Sequence, residues 1–180
     1  MASPPQPHLE YLEESTIDMQ ITVPRKHLLA SGIKNLIGAD DQVDQNDYSN
    51  SVAIKVSDGD SHSVEVLDIL LVFSETGSGA IISEDGVLMF FDANPEVSAG
   101  DTALAAAGAE HKTLIGQVAI AAADWVADAS GGAVTKEVAI ARHNGDFIYA
   151  VYKHTGATTI NSDAGDDEML DLNVWWREEL

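Results

Sequence analysis

EVAIARHNGDFIYAVY, residues 137–152, is the stretch of this chain that says most about its fold. Asn144-Gly145 is the dipeptide that best tolerates positive φ at both central positions of a type I′ turn, so it is a strong short-range hairpin signal. On one face, the register that this turn implies pairs Arg142 with Phe147, Ile140 with Tyr149, and Val138 with Val151. We therefore predict two consecutive antiparallel strands joined at this dipeptide.

Both faces of the predicted hairpin are mostly apolar, whereas a sheet with one solvated side alternates apolar with polar residues. One face is expected to line the core of the protein: Val138, Ile140, Tyr149 and Val151. The other face, which is rich in small residues, is expected to approach another sheet or another subunit. We take its members as the candidate subunit interface: Ala139, Ala141, Ile148, Ala150 and Tyr152.

Similar apolar blocks of strand length recur along the chain, separated by acidic turns that contain glycine. They cover residues 52–56, 64–73, 80–82, 87–91, 158–161 and 169–176. Residues 113–126 alternate as a strand, although their alanines also allow a helix, and residues 102–110 are expected to form one or two helical turns. Short strands with little helix and no βαβ rhythm predict an all-β fold, an antiparallel β-sandwich of jelly-roll-like type.

The first 50 residues differ from the remainder in proline content and hydrophobic pattern, so we predict an N-terminal arm at 1–50 and a β-sandwich domain at 51–180. Three of the five prolines lie within residues 1–15, which favours an extended segment. Residues 17–23 alternate as a strand, and residues 25–37 have apolar residues at roughly helical spacing. Residues 38–50 form an acidic loop.

The segment at 25–37 carries Arg25, Lys26 and Lys34, three of the nine basic residues of the chain. A basic amphipathic segment on an acidic protein is either a docking segment for an acidic partner or a short core-packing helix with its cations in water. We take five residues as the candidate docking arm: Ile17, Met19, Ile21, Arg25 and Lys26.

Charge and composition exclude several classes of function. The chain has 30 acidic and 9 basic residues and a formal net charge of -21, so a phosphate backbone would be repelled and no direct nucleic-acid binding is expected. The acidity is either ordinary surface solvation or an adaptation to saline surroundings. No apolar run approaches the roughly 20 residues of a membrane helix. The absence of cysteine excludes disulfides and thiolate metal sites.

Few residues suggest chemistry, and we predict neither an enzyme nor a resident cofactor. The loop at 161–168 crowds oxygen ligands that Ca²⁺ prefers, but it lacks EF-hand spacing, so an acidic solvated turn is the alternative. The weak calcium candidates are Asp163, Asp166, Asp167 and Glu168. Six histidines occur singly, so a cupin-like metal site would need them to converge from separate strands. Trp125, Trp175 and Trp176 form either a sugar-stacking platform or core and interface contacts.

The order of the blocks carries a family resemblance. They are VEVLDILLVF (64–73), DGVLMFFDANP (85–95), SAGDTALA (98–105), IGQVAIAAADW (115–125), IYAVYKHTGA (148–157) and DDEMLDLNVWW (166–176). Over residues 64–177 this pattern resembles the capsid decoration, or cement, proteins on the virion surface of tailed phages.

The resemblance implies a small β-rich body, often trimeric, on the outer surface of a capsid at three-fold or quasi-three-fold positions. It implies that the major capsid protein is the partner, that an N-terminal arm reaches along the shell, and that the function is mechanical stabilisation. The alternative is a carbohydrate- or receptor-binding β-sandwich module, including a calcium-dependent one. A cupin-like metalloenzyme is the third hypothesis.

Overall fold

The computed structural model describes residues 26–28, 34–38, 41–56, 63–74, 84–104, 113–128, 131–161 and 169–179. Their strands are β1 (Lys26–Leu28), β2 (Lys34–Ile37), β3 (Gln42–Val43), β4 (Val52–Lys55), β5 (Ser63–Ser74), β6 (Gly86–Phe91), β7 (Leu114–Ile120), β8 (Val126–Asp128), β9 (Gly131–His143), β10 (Phe147–His154), β11 (Ile160–Asn161) and β12 (Met169–Glu179). A single 3₁₀ turn at Ala122–Asp124 is the helical element of these residues.

The strands form two main antiparallel sheets. Sheet 1 has the order β1-β12-β5-β9-β8, with β2 also paired to β12, and sheet 2 has the order β4-β10-β6-β7. Strands β11 and β3 form a separate two-stranded sheet. The predicted all-β antiparallel sandwich is therefore confirmed, as are the strands predicted at 52–56, 64–73, 87–91 and 169–176. The alternation at 113–126 also forms a strand, β7, and the chain then makes the 3₁₀ turn.

The core lies between the two sheets and follows from alternation along the central strands. In β5, Leu67, Ile69 and Leu71 are fully buried, whereas the intervening Asp68 and Leu70 are half-buried on the opposite face. Because side chains alternate along a strand, β5 has an inner and an outer face from Leu67 to Phe73. The inner faces of both sheets form one apolar cluster, to which Leu36, Ile37 and Val43 also belong.

The outer face of sheet 2 carries a second apolar cluster, which we call the outer cluster. It consists of Tyr48, Met89, Phe91, Val97, Leu104 and Val151. The outward-facing residues of β6 and β10 are covered there by the loop at residues 92–104, which contributes Val97 and Leu104. Sheet 2 is apolar on both faces, because one face packs against sheet 1 and the other packs against this loop.

The predicted hairpin is wrong. Strand β9 pairs with β5 and β8 in sheet 1, and β10 pairs with β4 and β6 in sheet 2. Asn144 and Gly145 thus connect opposite sheets, and neither is among the residues with positive φ that a type I′ turn requires. Each strand instead pairs along nearly its whole length within its own sheet, and this overrides the local turn signal.

Separating the two strands also changes which faces are buried. Val138 and Ile140 line the core as predicted, but Tyr149 and Val151 lie on the outer face of sheet 2. Members of the predicted small-residue face, Ile148, Ala150 and Tyr152, lie in the core between the sheets. Of the two alternatives given for these three residues, another sheet is therefore the correct one. Ala139 and Ala141 are exposed on sheet 1.

The N-terminal predictions are also partly revised. Lys34–Ile37 is a strand paired with β12 where helical spacing had been predicted, because both Leu36 and Ile37 are buried against the sandwich. With Val43 in the same core, the predicted boundary at residue 50 does not separate these residues from the sandwich body. The strand predicted at 17–23, the strand at 80–82 and most of the helical segment at 102–110 lie outside the described residues.

Candidate functional site

Three neighbouring strands of sheet 1 bring an indole and two carboxylates into one row on its outer face. Trp175 of β12 is the register partner of Asp68 of β5, and Asp68 is in turn the partner of Glu137 of β9. Residues directly opposite each other in antiparallel strands project to the same face, with Cβ atoms about 5 Å apart. The pairing of the strands therefore places the three side chains next to one another.

This row lines a groove with a volume of about 420 Å³, which we call the acidic groove. Its lining residues are Asp68, Ile69, Thr135, Lys136, Glu137 and Trp175. Trp175 and Asp68 are half-buried, and Glu137 is exposed. Asp68, Glu137 and Trp175 each also have an interaction within the chain. A groove of this size matches the lower part of the range found for ligand sites, about 300–1,000 Å³.

The electrostatics of the acidic groove are dominated by its carboxylates. Like charges directly opposite each other across two strands repel, so the pair formed by Asp68 and Glu137 favours a nearby positive charge. The one cation in the lining is Lys136, whose ammonium lies 2.8 Å from the carboxylate of Asp124. That contact, followed by the Ala121 N–H, holds the pKa of Asp124 below its usual range. Lys136 is thereby engaged with the 3₁₀ turn.

The rest of this outer face is less polar. Leu70 and Val72 of β5 are half-buried there, beside Asn173 and Asp171 of β12. Burial raises the pKa of Asp171, and one of its carboxylate oxygens, Oδ1, has no hydrogen-bond partner within the described part of the chain. Sheet 1 thus presents a mixed, partly exposed surface.

A second group of carboxylates links loops at one end of the sandwich through hydrogen bonds. Glu84 accepts hydrogen bonds from the Ala157 N–H at 3.0 Å and the Thr158 hydroxyl at 2.7 Å. Asp85 accepts from the Ala122 N–H at 2.7 Å, and Asp44 accepts from the Thr159 hydroxyl at 2.7 Å. These bonds satisfy loop donors that sheet pairing leaves open. We interpret this group as structural.

Buried polar residues lie beside these loops. His154 is fully buried, its Nε2 is 2.6 Å from the Thr158 carbonyl oxygen, and its Nδ1 has no partner among the described residues. Its ring stacks on Tyr152 with centroids 6.5 Å apart. Burial, and then the charges of Glu84 and Asp85, raise the pKa of Tyr152 well above its ordinary value.

The three predicted tryptophans do not converge. Trp125 is buried, and its Nε1–H donates to the Glu84 carbonyl oxygen at 3.0 Å. Trp175 and Trp176 are consecutive in β12 and therefore point to opposite faces, with Trp176 packed against the core. A platform of all three is thus excluded, and Trp175 alone contributes to the outer face of sheet 1.

Other predicted sites fall largely outside the described residues. These are the calcium candidates Asp163, Asp166, Asp167 and Glu168, and the arm residues Ile17, Met19, Ile21 and Arg25. Lys26 is described as part of β1, where its register partner is Arg177. Within the described ranges, no group of three or more His, Asp or Glu side chains is arranged to hold a metal ion.

Sequence reasoning missed the acidic groove, although two signals were present. Asp68 is the lone charge inside the apolar run VLDILLVF, and Trp175 has the outward parity of β12. Their association with Glu137 depends on the order of β12, β5 and β9, which no local pattern specifies.

Comparison with known proteins gives no family assignment: no protein-family model matches the chain, and no curated protein matches it. In the part of the chain that the structure describes, no helix is long and apolar enough to cross a membrane.

Proposed function

We propose that the chain is a structural virion protein that binds the major capsid protein on the outer surface of a tailed-phage capsid and stabilises the shell. The observation that carries this proposal is the way the N-terminal segment joins the body. Strand β1 lies at the edge of sheet 1, antiparallel to the closing part of β12. Strand β1, the first strand of the described residues, is thus at a sheet edge, and an arm attached at such an edge has access to a neighbouring protein.

The charge at this edge supports the same function. Lys26 and Arg177 are register partners, and Lys34 lies opposite Leu172 on the same strand β12. Strands β1, β2 and β12 thus carry three of the nine basic residues, which balance the three acidic residues of the same strands, Asp171, Glu178 and Glu179, in a protein whose net charge is -21. A charge-balanced edge on an acidic body is the side that an acidic partner surface repels least, and this favours one orientation of docking. The stabilisation would be mechanical, through area buried across joints between capsid subunits, with repeated contacts in a homotrimer adding avidity.

Deletion of residues 1–24 tests the arm. This deletion precedes β1, so it spares every described strand, and the variant is expected to unfold at the same denaturant concentration as the full chain. We expect the full chain to cosediment with expanded capsids and the deletion variant to lose attachment by at least about tenfold, equivalent to about 1.4 kcal/mol. Attachment unchanged by the deletion would contradict the arm.

Charge reversal at the sheet edge provides a finer test. Arg25→Glu with Lys26→Glu should weaken attachment and remove most of its salt dependence, because salt screens the attraction between charged surfaces. The matched control is Lys55→Glu with Arg142→Glu, which makes the same change of charge at exposed positions on β4 and β9. Equal effects of the two pairs would show that net charge, and not the edge, governs attachment. Light scattering of the isolated chain tests the trimer.

A further inference from the structure

We propose that Asn144-Gly145 is a site of self-modification, at which Asn144 deamidates through a succinimide with the imidazole of His143 as the general base. The buried side chain of His143 lies against Gly145, in the connection between the two sheets. Water is the one co-reactant that the modification requires. It is independent of the proposed function and goes beyond it.

Sequence and exposure single out Asn144 among the asparagines. Of the seven in the chain, Asn144 alone is followed by glycine, which has no side chain to hinder attack by its own nitrogen. Both residues are exposed and lie in irregular backbone between β9 and β10. Within the described residues, no hydrogen bond engages the Gly145 N–H or the Asn144 side chain. The attacking nitrogen is therefore accessible.

His143 brings an unengaged base to the same place. Its side chain is buried, and its Nε2 has no hydrogen-bond partner in the described part of the chain. Buried polar atoms of this kind are uncommon, and a catalytic role is one explanation for them. When the ring carries its proton on Nδ1, Nε2 has a lone pair and can accept a proton.

The position of the ring relative to Gly145 is specific. A Cβ built on Gly145 would lie 2.8 Å from both Nε2 and Cε1 of His143. The ring edge that carries Nε2 therefore faces Gly145, and this contact requires a glycine there although its φ is not positive. The Gly145 N–H is attached to the same Cα, so a small movement of the loop or one water molecule joins it to Nε2.

The loop is anchored on both sides of the reacting residues. His143 is the register partner of Val64 in sheet 1, and the Asp146 carbonyl accepts the Val56 N–H at 2.8 Å. These anchors hold the base and the amide together. The two residues between them keep the freedom to bring the Gly145 nitrogen to the side-chain carbon of Asn144. Holding the groups close in this way reduces the entropy cost of the reaction.

The chemistry has two steps. Nε2 accepts the proton of the Gly145 N–H as the nitrogen forms a bond to Cγ of Asn144. The C–N bond of the side-chain amide then breaks, ammonia leaves with that proton, and a succinimide remains. Water opens the succinimide to aspartate or isoaspartate. Either product adds a negative charge, and isoaspartate also lengthens the backbone that joins the sheets by one carbon.

The first test compares the native full chain with the same chain unfolded in urea, both incubated near neutral pH. Trypsin cleavage after Arg142 and Lys153 releases residues 143–153, in which mass spectrometry follows conversion of the amide to the acid. We expect Asn144 to react faster than every other asparagine, and at least about twofold faster in the native chain than in urea, where His143 is no longer held against Gly145. Equal or slower reaction in the native chain would overturn the proposal.

The second test removes the base. His143→Gln should slow deamidation of the native chain about tenfold, less than the roughly 100-fold of an ideally placed base, because Nε2 is not hydrogen-bonded to the amide. The matched control, His154→Gln, changes another buried histidine at the far end of β10 and should stay within about twofold of the parent.

The sign of the effect separates catalysis from packing. If His143 only packs the loop, its removal loosens the backbone and deamidation becomes faster. An unchanged or faster rate in His143→Gln, or equal slowing in both variants, would refute the base. The comparison of native and unfolded parent chain does not depend on how the variants fold.

Discussion

The outer faces of the two sheets are built from strands of similar composition, yet they have opposite surroundings. On sheet 2, Phe91 and Val151 are fully buried beneath the loop at residues 92–104. On sheet 1, Leu70, Val72 and Trp175 are half-buried and lie beside carboxylates. The first face is closed by its own chain, and the second presents a groove. An apolar outward face on a strand is therefore evidence of a packing partner, but the partner can be a local loop.

The largest expected difference between the two faces is in stability. Phe91→Ala should lower the free energy of unfolding by about 3–5 kcal/mol, because it empties a site under the covering loop. Leu70→Ala, on the open face, should cost about 1 kcal/mol, since the side chain is already partly hydrated. Urea denaturation of both variants measures this difference. Equal losses would show that the outer face of sheet 1 is as closely packed as that of sheet 2.

Trp125, which is buried in the core, and Trp175, which is half-buried on the open face, should differ by an intermediate amount. Trp125→Phe removes a buried indole whose N–H donates to the Glu84 carbonyl, so we expect a loss of about 1–3 kcal/mol. Trp175→Phe keeps an aromatic ring on the open face and should change stability by about 0.5 kcal/mol. Thermal unfolding compares them under identical conditions. A larger loss at Trp175 would show that this residue is packed at least as closely as Trp125.

Sequence patterns predict those parts of this fold that depend on alternation along a single strand. Residues 64–73 lie within strand β5, as predicted, and every second residue from 67 to 73 is buried: Leu67, Ile69, Leu71 and Phe73. The closing strand β12 and the choice of an all-β sandwich follow in the same way. These predictions succeed because the period of two is a property of the strand itself.

What the sequence does not determine is which strands become neighbours. Asn144-Gly145 indicates a hairpin, but β9 and β10 each find longer pairing in separate sheets. Consequently the faces assigned to Tyr149 and Val151 were wrong, although those assigned to Val138 and Ile140 were confirmed. The acidic groove has the same origin, since it requires three strands that are distant in sequence to be adjacent. Local signals are overridden where pairing over long stretches stabilises a different arrangement.

The smallest expected effect is a pair of opposite pH dependences at two carboxylates, Asp171 on the outer face of sheet 1 and Asp124 in the 3₁₀ turn. Burial raises the pKa of Asp171 in the folded protein, so the stability it contributes is present below the ordinary carboxyl pKa and is lost as pH rises through the folded value. Hydrogen bonds from Lys136 and then Ala121 lower the pKa of Asp124, so its contribution is present above the ordinary pKa and is lost as pH falls.

Neutral variants should therefore diverge with pH. Relative to the parent, Asp171→Asn should become more stable as pH rises from about 3.5 to 7, whereas Asp124→Asn should become less stable over the same interval. Both differences are expected to be small, because each carboxylate is only partly buried and water screens its interactions. Urea denaturation at a series of pH values measures the two difference curves. If Asp171→Asn instead becomes less stable as pH rises, as is expected of Asp124→Asn, then burial does not raise the pKa of Asp171. The outer face of sheet 1 would in that case be more hydrated than its half-buried Leu70 and Val72 imply.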